Sequence, residues 1–124
     1  MINKSVKNYF VSGIGTDVGK TIVSAVLVEA LQADYWKPIQ AGDLTNSDSD
    51  KVFQMISNTQ SKFHENTFAL QNPVSPHYAA ELDGIDIKLD SLKKPATANH
   101  LIIEGAGGLM VPLNKEDLVV DLIE

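Results

Sequence analysis

The stretch "GIGTDVGKTIVSAVLVEAL", residues 13–31, decides how the chain is read. A phosphate-binding loop is ordinarily spelled G-x-x-x-x-G-K-[ST], with four residues between its glycines. Here Gly13 stands six places before Gly19, so five residues intervene, and Ile14 takes the position the pattern reserves for glycine. The end of the motif is intact. Gly19, Lys20 and Thr21 follow a strand-like run and open a helical one, where backbone N–H groups converge and the helix dipole favours an anion. A lysine after the last glycine reaches the β- and γ-phosphates, and the next hydroxyl can ligate Mg2+. An ordinary strand–turn–helix junction with an incidental "GKT" is the competing reading, and the flanking strand and helix weigh against it. The additional residue is then a lengthened loop. Asp17 within it would repel a phosphate unless it faces something cationic, a metal or an amine substrate.

Outward from the loop, "NYFVS" (8–12) reads as a buried strand. Thr21 to Gln32 carries Ile22, Val23, Val26, Leu27, Ala30 and Leu31 at helical spacing on more than one side, which predicts a helix covered on both sides. "DYWKPIQ" (34–40) predicts a second strand, with Pro38 near its end, where a missing amide hydrogen is tolerable. Ser47 is placed to cap a helix over about 48–56, with Val52, Met55 and Ile56 facing inward. Residues 57–78 are polar and turn-rich, punctuated by Pro73 and Pro76. The segment 81–98, with "IDIKL" and "LKKPATA", matches no single element. "HLIIE" (100–104) is a third strand running into "GAGG", and a helical pattern occupies 117–124.

Strand, loop, helix, strand, helix, strand, loop, helix is the grammar of an α/β fold with a mainly parallel sheet. The expectation is a P-loop-containing three-layer nucleotide-binding domain over 1–124. Three strands are few for such a sheet, and Leu118, Val119, Leu122 and Ile123 have little later chain to cover them. The domain is therefore expected to be incomplete here, and to draw stability from a second segment or a symmetric partner.

Composition narrows the function. The chain has 124 residues, ten Lys plus Arg (all lysine), sixteen Asp plus Glu and a formal charge of −6. That balance argues against a nucleic-acid partner, which needs a concentrated basic face, and against a polybasic membrane anchor. With no arginine, lysine or a metal must neutralise any bound phosphate. Cysteine is absent, which fits a reducing cytoplasm. The start lacks the apolar core of a signal peptide, and the most apolar run, 22–31, is too short for a bilayer span. A soluble cytoplasmic protein is expected.

Two carboxylates sit where an open α/β sheet gathers ligands. Asp48, in "NSD", lies just beyond the second strand, and Glu104 closes the third. With the Thr21 hydroxyl they make a hard-oxygen set suited to Mg2+. Asp48 alone could equally serve a helix start, whereas an acidic residue closing "LIIE" is unwelcome in a buried strand without a partner. Lys37 closes the second strand and, with no arginine available, is the candidate for charge neutralisation.

Taken together and in order, "GIGTDVGKT", "WKPIQAG", "NSD", "NPVSPHYAA" and "IIEGAGGLMVPL" resemble dethiobiotin synthetase, the ATP-dependent enzyme of biotin synthesis. The resemblance runs through the whole chain and covers roughly the first half of the family's length. It implies a ligase that carboxylates 7,8-diaminononanoate with CO2 to a carbamate, phosphorylates it with ATP, and closes a cyclic urea. It further implies that Asp17, Val18, Gly19, Lys20, Thr21 and Ile22 cradle the nucleotide, with Asp48, Glu104, Gly105, Ala106 and Gly107 also lining its site. Thr21, Asp48 and Glu104 would hold Mg2+. Lys37 and Lys20 would be catalytic, and Thr16, Lys37 and Ala41 would face the substrate. The family's longer loop explains the unusual spacing, and a homodimer is implied. Two positions depart from the family: Asp17 stands where glutamate is common, and Ala41 where serine or threonine usually offers a hydroxyl. The adenine-recognising residues belong to the later half. Other readings are a different P-loop ATPase or amidating synthetase of the same superfamily, and a non-catalytic nucleotide-binding fragment.

Overall fold

The computed structural model describes residues 6–13, 19–108 and 112–123. Along the chain run β1 (Asn8–Gly13), α1 (Lys20–Leu31), β2 (Asp34–Trp36), β3 (Ile39–Ala41) and α2 (Asp48–Met55). They are followed by β4 (Phe63–His64), β5 (Phe68–Leu70), α3 (Pro76–Asp83), β6 (Leu101–Gly108) and α4 (Val119–Ile123). Single 3-10 turns occupy Leu44–Asn46 and Leu89–Ser91.

Four strands form a wholly parallel sheet in the order β1-β6-β2-β4, and β3 pairs with β5 in a second parallel ribbon. The last strand in sequence is thus inserted between the first two. Ile102 lies opposite both Tyr9 and Tyr35, and Ile103 opposite Phe10 and Trp36. Alternation along the strands then sorts the side chains into two faces. Val11, Tyr35 and Ile102 pack with Ala25 and Val28 of α1 and Val52 of α2. Trp36, Leu101 and Ile103 pack together with Phe10, which also meets the cluster of Ile39, Leu70, Ala79, Ala80 and Val119 around α3 and α4. Helices therefore cover both faces, giving the three layers expected of this α/β fold.

The expected strand over 34–40 is interrupted. Lys37 and Pro38 separate β2 from β3, because proline cannot donate to a ladder. The chain resumes pairing through the Pro38 carbonyl, which accepts from the Phe68 amide at 2.9 Å. Three strands had been expected, and six are present among the described residues. β4 and β5 are two and three residues long, too short to leave an alternation in the polar 57–78 segment. Pro76, expected only to punctuate, occupies the first turn of α3, where its missing N–H costs nothing.

Two expectations about helix faces are corrected. α1 buries Ser24, Ala25 and Val28 against the sheet and α2, yet Ile22, Val23 and Val26 are 61%, 49% and 61% exposed. Apolar spacing recorded that this side avoids charge, while the described chain covers one side only. Ser47 does cap α2, in a reciprocal box with Asp50. Of the residues expected inward, Val52 is buried and Ile56 half-buried, but Met55 is exposed at the rim of the cleft described below.

The end of the sheet away from the loop is tied by a buried carboxylate. Asp34 is fully inaccessible and accepts from Asn99 Nδ2 (2.9 Å), Thr97 Oγ1 (2.6 Å) and the Lys62 amide (3.1 Å), with His64 Nε2 at 2.9 Å. Burial would raise its pKa, but those hydrogen bonds outweigh it and the net direction is down. Thr97, from the segment that had matched no element, and Asn99 thus brace β2 through Asp34, which His64 ties to β4.

Glu29 does similar work between helices. Its carboxylate accepts from the backbone and side chain of Ser57 and of Asn58, fastening the chain after α2 to α1. The Ser57 hydroxyl and the Asn58 amide lead the bonds that draw its pKa from 4.5 down to about 2. A folded pKa below the unfolded one contributes stability above pH 4.5, and that contribution is lost as pH falls toward 2. Denaturant titrations of wild type and Glu29→Gln at about pH 7 and about pH 2.5 should therefore differ most at the higher pH and converge at the lower.

Candidate active site

Glu104, expected to close its strand, lies inside β6, which runs on through Gly108; the inserted strand order sets it beside the C-terminal ends of β1 and β2. Val11 and Glu104 are register partners, and Glu104 follows Ile102 by two residues on the α1 face. Lys37 stands two beyond Tyr35 on the neighbouring strand line, so its side chain reaches the same face. The outcome is a buried ion cluster. Lys37 Nζ lies 2.8 Å from Asp48 Oδ2 and 3.2 Å from Glu104 Oε2, and donates to the Gly105 carbonyl at 3.2 Å. Thr21 Oγ1 donates to Glu104 Oε2 at 3.2 Å, and the Tyr35 hydroxyl to Glu104 Oε1 at 3.0 Å.

Burial sets the electrostatics. Glu104 is only 1% exposed. Its pKa is raised chiefly by that burial, with Lys37 pulling the other way and the neighbouring Asp48 adding to the rise. Burial also pushes Asp48 upward, but Lys37 outweighs it and holds the carboxyl below its ordinary value. Tyr35 is pushed far up by burial and by the Glu104 charge, so it remains a neutral hydroxyl donor. Removing one member of a buried charge pair typically costs about 3–5 kcal/mol, because the other is left uncompensated.

Above this cluster opens a cleft of about 740 Å3. Gly19, Lys20, Thr21 and Ile22 form one wall, with Lys37, Asp48 and Glu104 at its base and Ala41, Ala106 and Gly107 beside them. Gly105 enters through its carbonyl rather than as lining. Lys20 is buried and makes a polar interaction of its own. Gly19 caps α1 at φ 86°, a left-handed conformation open to glycine. Thr16, Asp17 and Val18 lie outside the described residues. A second cleft of about 700 Å3, between α3 and the loops around Asp86 and Lys115, contains none of the expected residues.

Three participants went unforeseen. Gln40 is buried; its Nε2 donates to the Gly42 carbonyl at 2.9 Å and its Oε1 accepts the Asp48 amide at 3.2 Å, seating the start of α2 at the cleft. Lys51 Nζ stands 4.0 Å from Asp48 Oδ1, one helical turn on. Tyr35 reaches Glu104 from the strand residue two before Lys37, and that spacing was the available signal. For Gln40 the sequence holds none. The far wall comes from Pro73, Val74, Ser75 and Pro76.

Among the described residues no three His, Cys, Asp or Glu side chains are grouped to hold a metal. The expected set contains one hydroxyl and two carboxylates, and those carboxylates already converge on one cation, the Lys37 ammonium. Hard oxygen donors around a point that accepts positive charge fit Mg2+. No described helix is long and apolar enough to cross a membrane.

A parallel sheet with a glycine–lysine–threonine helix start, Glu104 inside β6 and Asp48 at the start of α2 beside it, defines an α/β domain of the P-loop class. The chain belongs to the family described as AAA domain, which matches residues 7–124. Its sequence is 61% identical over 117 residues to a protein of Christiangramia forsetii called ATP-dependent dethiobiotin synthetase BioD, covering 94% of this chain and 56% of that protein. Proteins of the same name from Cytophaga hutchinsonii and Paramagnetospirillum magneticum are 52% and 44% identical, over 94% and 95% of this chain and 57% of each relative. The resemblance drawn from the five motifs is thus borne out along nearly the whole chain. The chain spans a little over half the length of these curated relatives.

The wall opposite the lysines depends on one close approach. Gly42 has φ 78°, and a Cβ there would lie 2.6 Å from Pro73 Cβ and 2.7 Å from Pro73 Cα. Gly42→Ala should therefore destabilise the protein by about 1–3 kcal/mol through overpacking, with the left-handed backbone adding to it. Thermal melts check the size; an unchanged midpoint would mean that the Pro73 wall gives way freely.

Proposed function

We propose that this chain is the phosphate-binding, carboxylate-activating part of an ATP-dependent dethiobiotin synthetase. In this reading residues 1–124 are the N-terminal part of one P-loop nucleotide-binding domain. The observation that carries the proposal is the buried Lys37 ammonium held between Asp48 and Glu104 at the base of the cleft, one strand from the Lys20–Thr21 helix start. The names of the relatives support the choice of reaction.

The substrates would be 7,8-diaminononanoate, CO2 and ATP. One amine nitrogen attacks CO2 and loses a proton, leaving a carbamate. A carbamate oxygen then attacks the γ-phosphorus of ATP, breaking its bond to the bridging oxygen and releasing ADP. The second amine attacks the carbonyl carbon of the mixed anhydride, and phosphate leaves as the cyclic urea closes. Phosphoryl transfer of this kind needs positioning and charge stabilisation more than covalent chemistry.

Each residue has a task in that sequence. Lys20 and the amides of Gly19 to Ile22 hold the phosphates at the positive end of α1. Lys37 neutralises charge on the carbamate and on the transferring phosphoryl group, which matters most in the transition state. Thr21, Asp48 and Glu104 would hold Mg2+, which when bound supplies further neutralisation of the phosphates. Gly105, Ala106 and Gly107 line the nucleotide side, and Ala41 faces the diamine. The resemblance would assign Asp17 and Val18 to the nucleotide cradle and Thr16 to the diamine, whose ammonium groups an acidic residue in the loop suits. Ala41 leaves that contact without a hydroxyl. A homodimer, which the resemblance implies, and a cytoplasmic location, which the absence of cysteine fits, belong to the same proposal.

The test is diamine- and bicarbonate-dependent ADP release, measured in the longest natural form of the protein. Lys20→Ala should abolish it, and a wild-type rate in that variant would defeat the phosphate-loop assignment. Lys37→Gln should lower kcat by about 100-fold or more while ATP binding is largely retained, as for loss of a transition-state charge donor. Asp48→Asn and Glu104→Gln should each move the Mg2+ dependence to higher concentration. A variant whose Mg2+ dependence does not move identifies a carboxylate outside the metal shell.

A further inference from the structure

Glu104 uses its two oxygens differently. Oε2 meets Lys37 Nζ and Thr21 Oγ1, both at 3.2 Å, whereas Oε1 accepts from the Tyr35 hydroxyl at 3.0 Å. Tyr35 is fully buried on β2, and its ring is wedged against Phe63 with centroids 5.5 Å apart. Phe63 in turn meets Phe53 edge-on at 5.4 Å. The ring is held by packing, so its hydroxyl is delivered to one point. A phenylalanine would fill the same volume. The hydroxyl is the part that a core would reject unless it had a partner, and its partner is the carboxylate at the base of the cleft.

A carboxylate has two equivalent oxygens and a soft terminal torsion. One fixed donor on Oε1 removes that equivalence and directs Oε2 to the Thr21 and Lys37 side. We infer that Tyr35 is a positioning residue for the nucleotide and metal site: its hydroxyl orients Glu104 so that one defined oxygen is presented to a divalent cation. The inference rests on the reading of Glu104 given under Proposed function. Gln40 holds Asp48 by its main chain, its Oε1 accepting the Asp48 backbone N–H at 3.2 Å. The site is therefore framed by two uncharged side chains from the segment 35–40, one ahead of Lys37 and one behind it.

Outer partners of metal-binding carboxylates typically contribute about 10–100-fold in metal affinity. The experiment uses the full chain with Mn2+ as the probe, followed by electron paramagnetic resonance, alone and with ADP. Tyr35→Phe should weaken Mn2+ binding about tenfold, whereas Tyr9→Phe, at the far end of β1, should leave it unchanged. Circular dichroism confirms that each variant is folded at the temperature used. A Tyr35→Phe protein that binds Mn2+ as wild type does would overturn the inference and leave the proposed function standing. If wild type and Glu104→Gln bind Mn2+ equally, the metal role of Glu104 fails, and the inference fails with it.

A second measurement needs no change at position 35. The chain has three tyrosines, so ring-labelled tyrosine gives three sets of NMR signals, assigned through Tyr9→Phe and Tyr78→Phe. Saturating Mg2+ with ADP should shift the Tyr35 Cζ signal, because its acceptor now shares charge with a cation, and should leave Tyr9 in place. A Tyr35 signal that stays put under saturation removes the hydroxyl from the site.

Discussion

The structure turns on one ammonium group. Lys37 Nζ is buried between two carboxylates and a backbone carbonyl, at 2.8 Å from Asp48 and 3.2 Å from Glu104 and from Gly105. An ionised carboxylate as deeply buried as Glu104 is costly unless paired and hydrogen-bonded. Its partners come from three places: Thr21 on α1, Tyr35 on β2 and Lys37 just after β2, while Asp48 on α2 shares Lys37 and, as a like charge, opposes its ionisation. Those places meet only when β6 lies between β1 and β2. The parallel order and the ion cluster are two descriptions of one constraint.

The same β2 segment shows how burial is used at its two ends. Asp34, at its start, is surrounded by neutral or weakly basic donors that fully occupy its oxygens and brace residues 62–64 and 97–99. Lys37, after its end, stands at the base of an open cleft, where its partners are themselves charged. The first arrangement is satisfied and closed. The second can exchange partners with an incoming anion or cation, which is the property a phosphate-transfer site needs. Pro38 separates this site from β3 by ending the ladder, so Gln40 and Gly42 can turn toward α2 and Pro73.

Much of this was legible from residue types and spacing. β1, α1 and the first half of β6 declared themselves through β-branched runs and helical periodicity, and the Ser47 cap through its place just before a helical pattern; the box with Asp50 came from the structure. Lys20, Thr21, Lys37, Asp48 and Glu104 could be singled out because strand ends and a glycine–lysine–threonine turn are places where charge has work to do. β4 and β5 were not legible. Two or three residues pairing at an edge leave no alternation, and their pairing is decided by where β2 and β3 lie. The exposed face of α1 was misjudged for a related reason, since apolar spacing says which residues tolerate burial and does not say what covers them.

What the sequence determined by itself was local: a glycine–lysine–threonine helix start after a loop spelling with one extra residue, the places of β1 and β6 and part of a broken third strand, two helix starts, and a set of charged residues near them. Those are properties of neighbours in the chain, where steric preference and hydrogen bonding act over a few residues. Only the tertiary structure decided that the last strand enters between the first two, that Glu104 divides its oxygens between Tyr35 and the Lys37–Thr21 side, and that Gln40 grips Asp48. Those contacts join residues as far as 83 positions apart. Their geometry depends on the packing of whole layers, and no short stretch of sequence carries it.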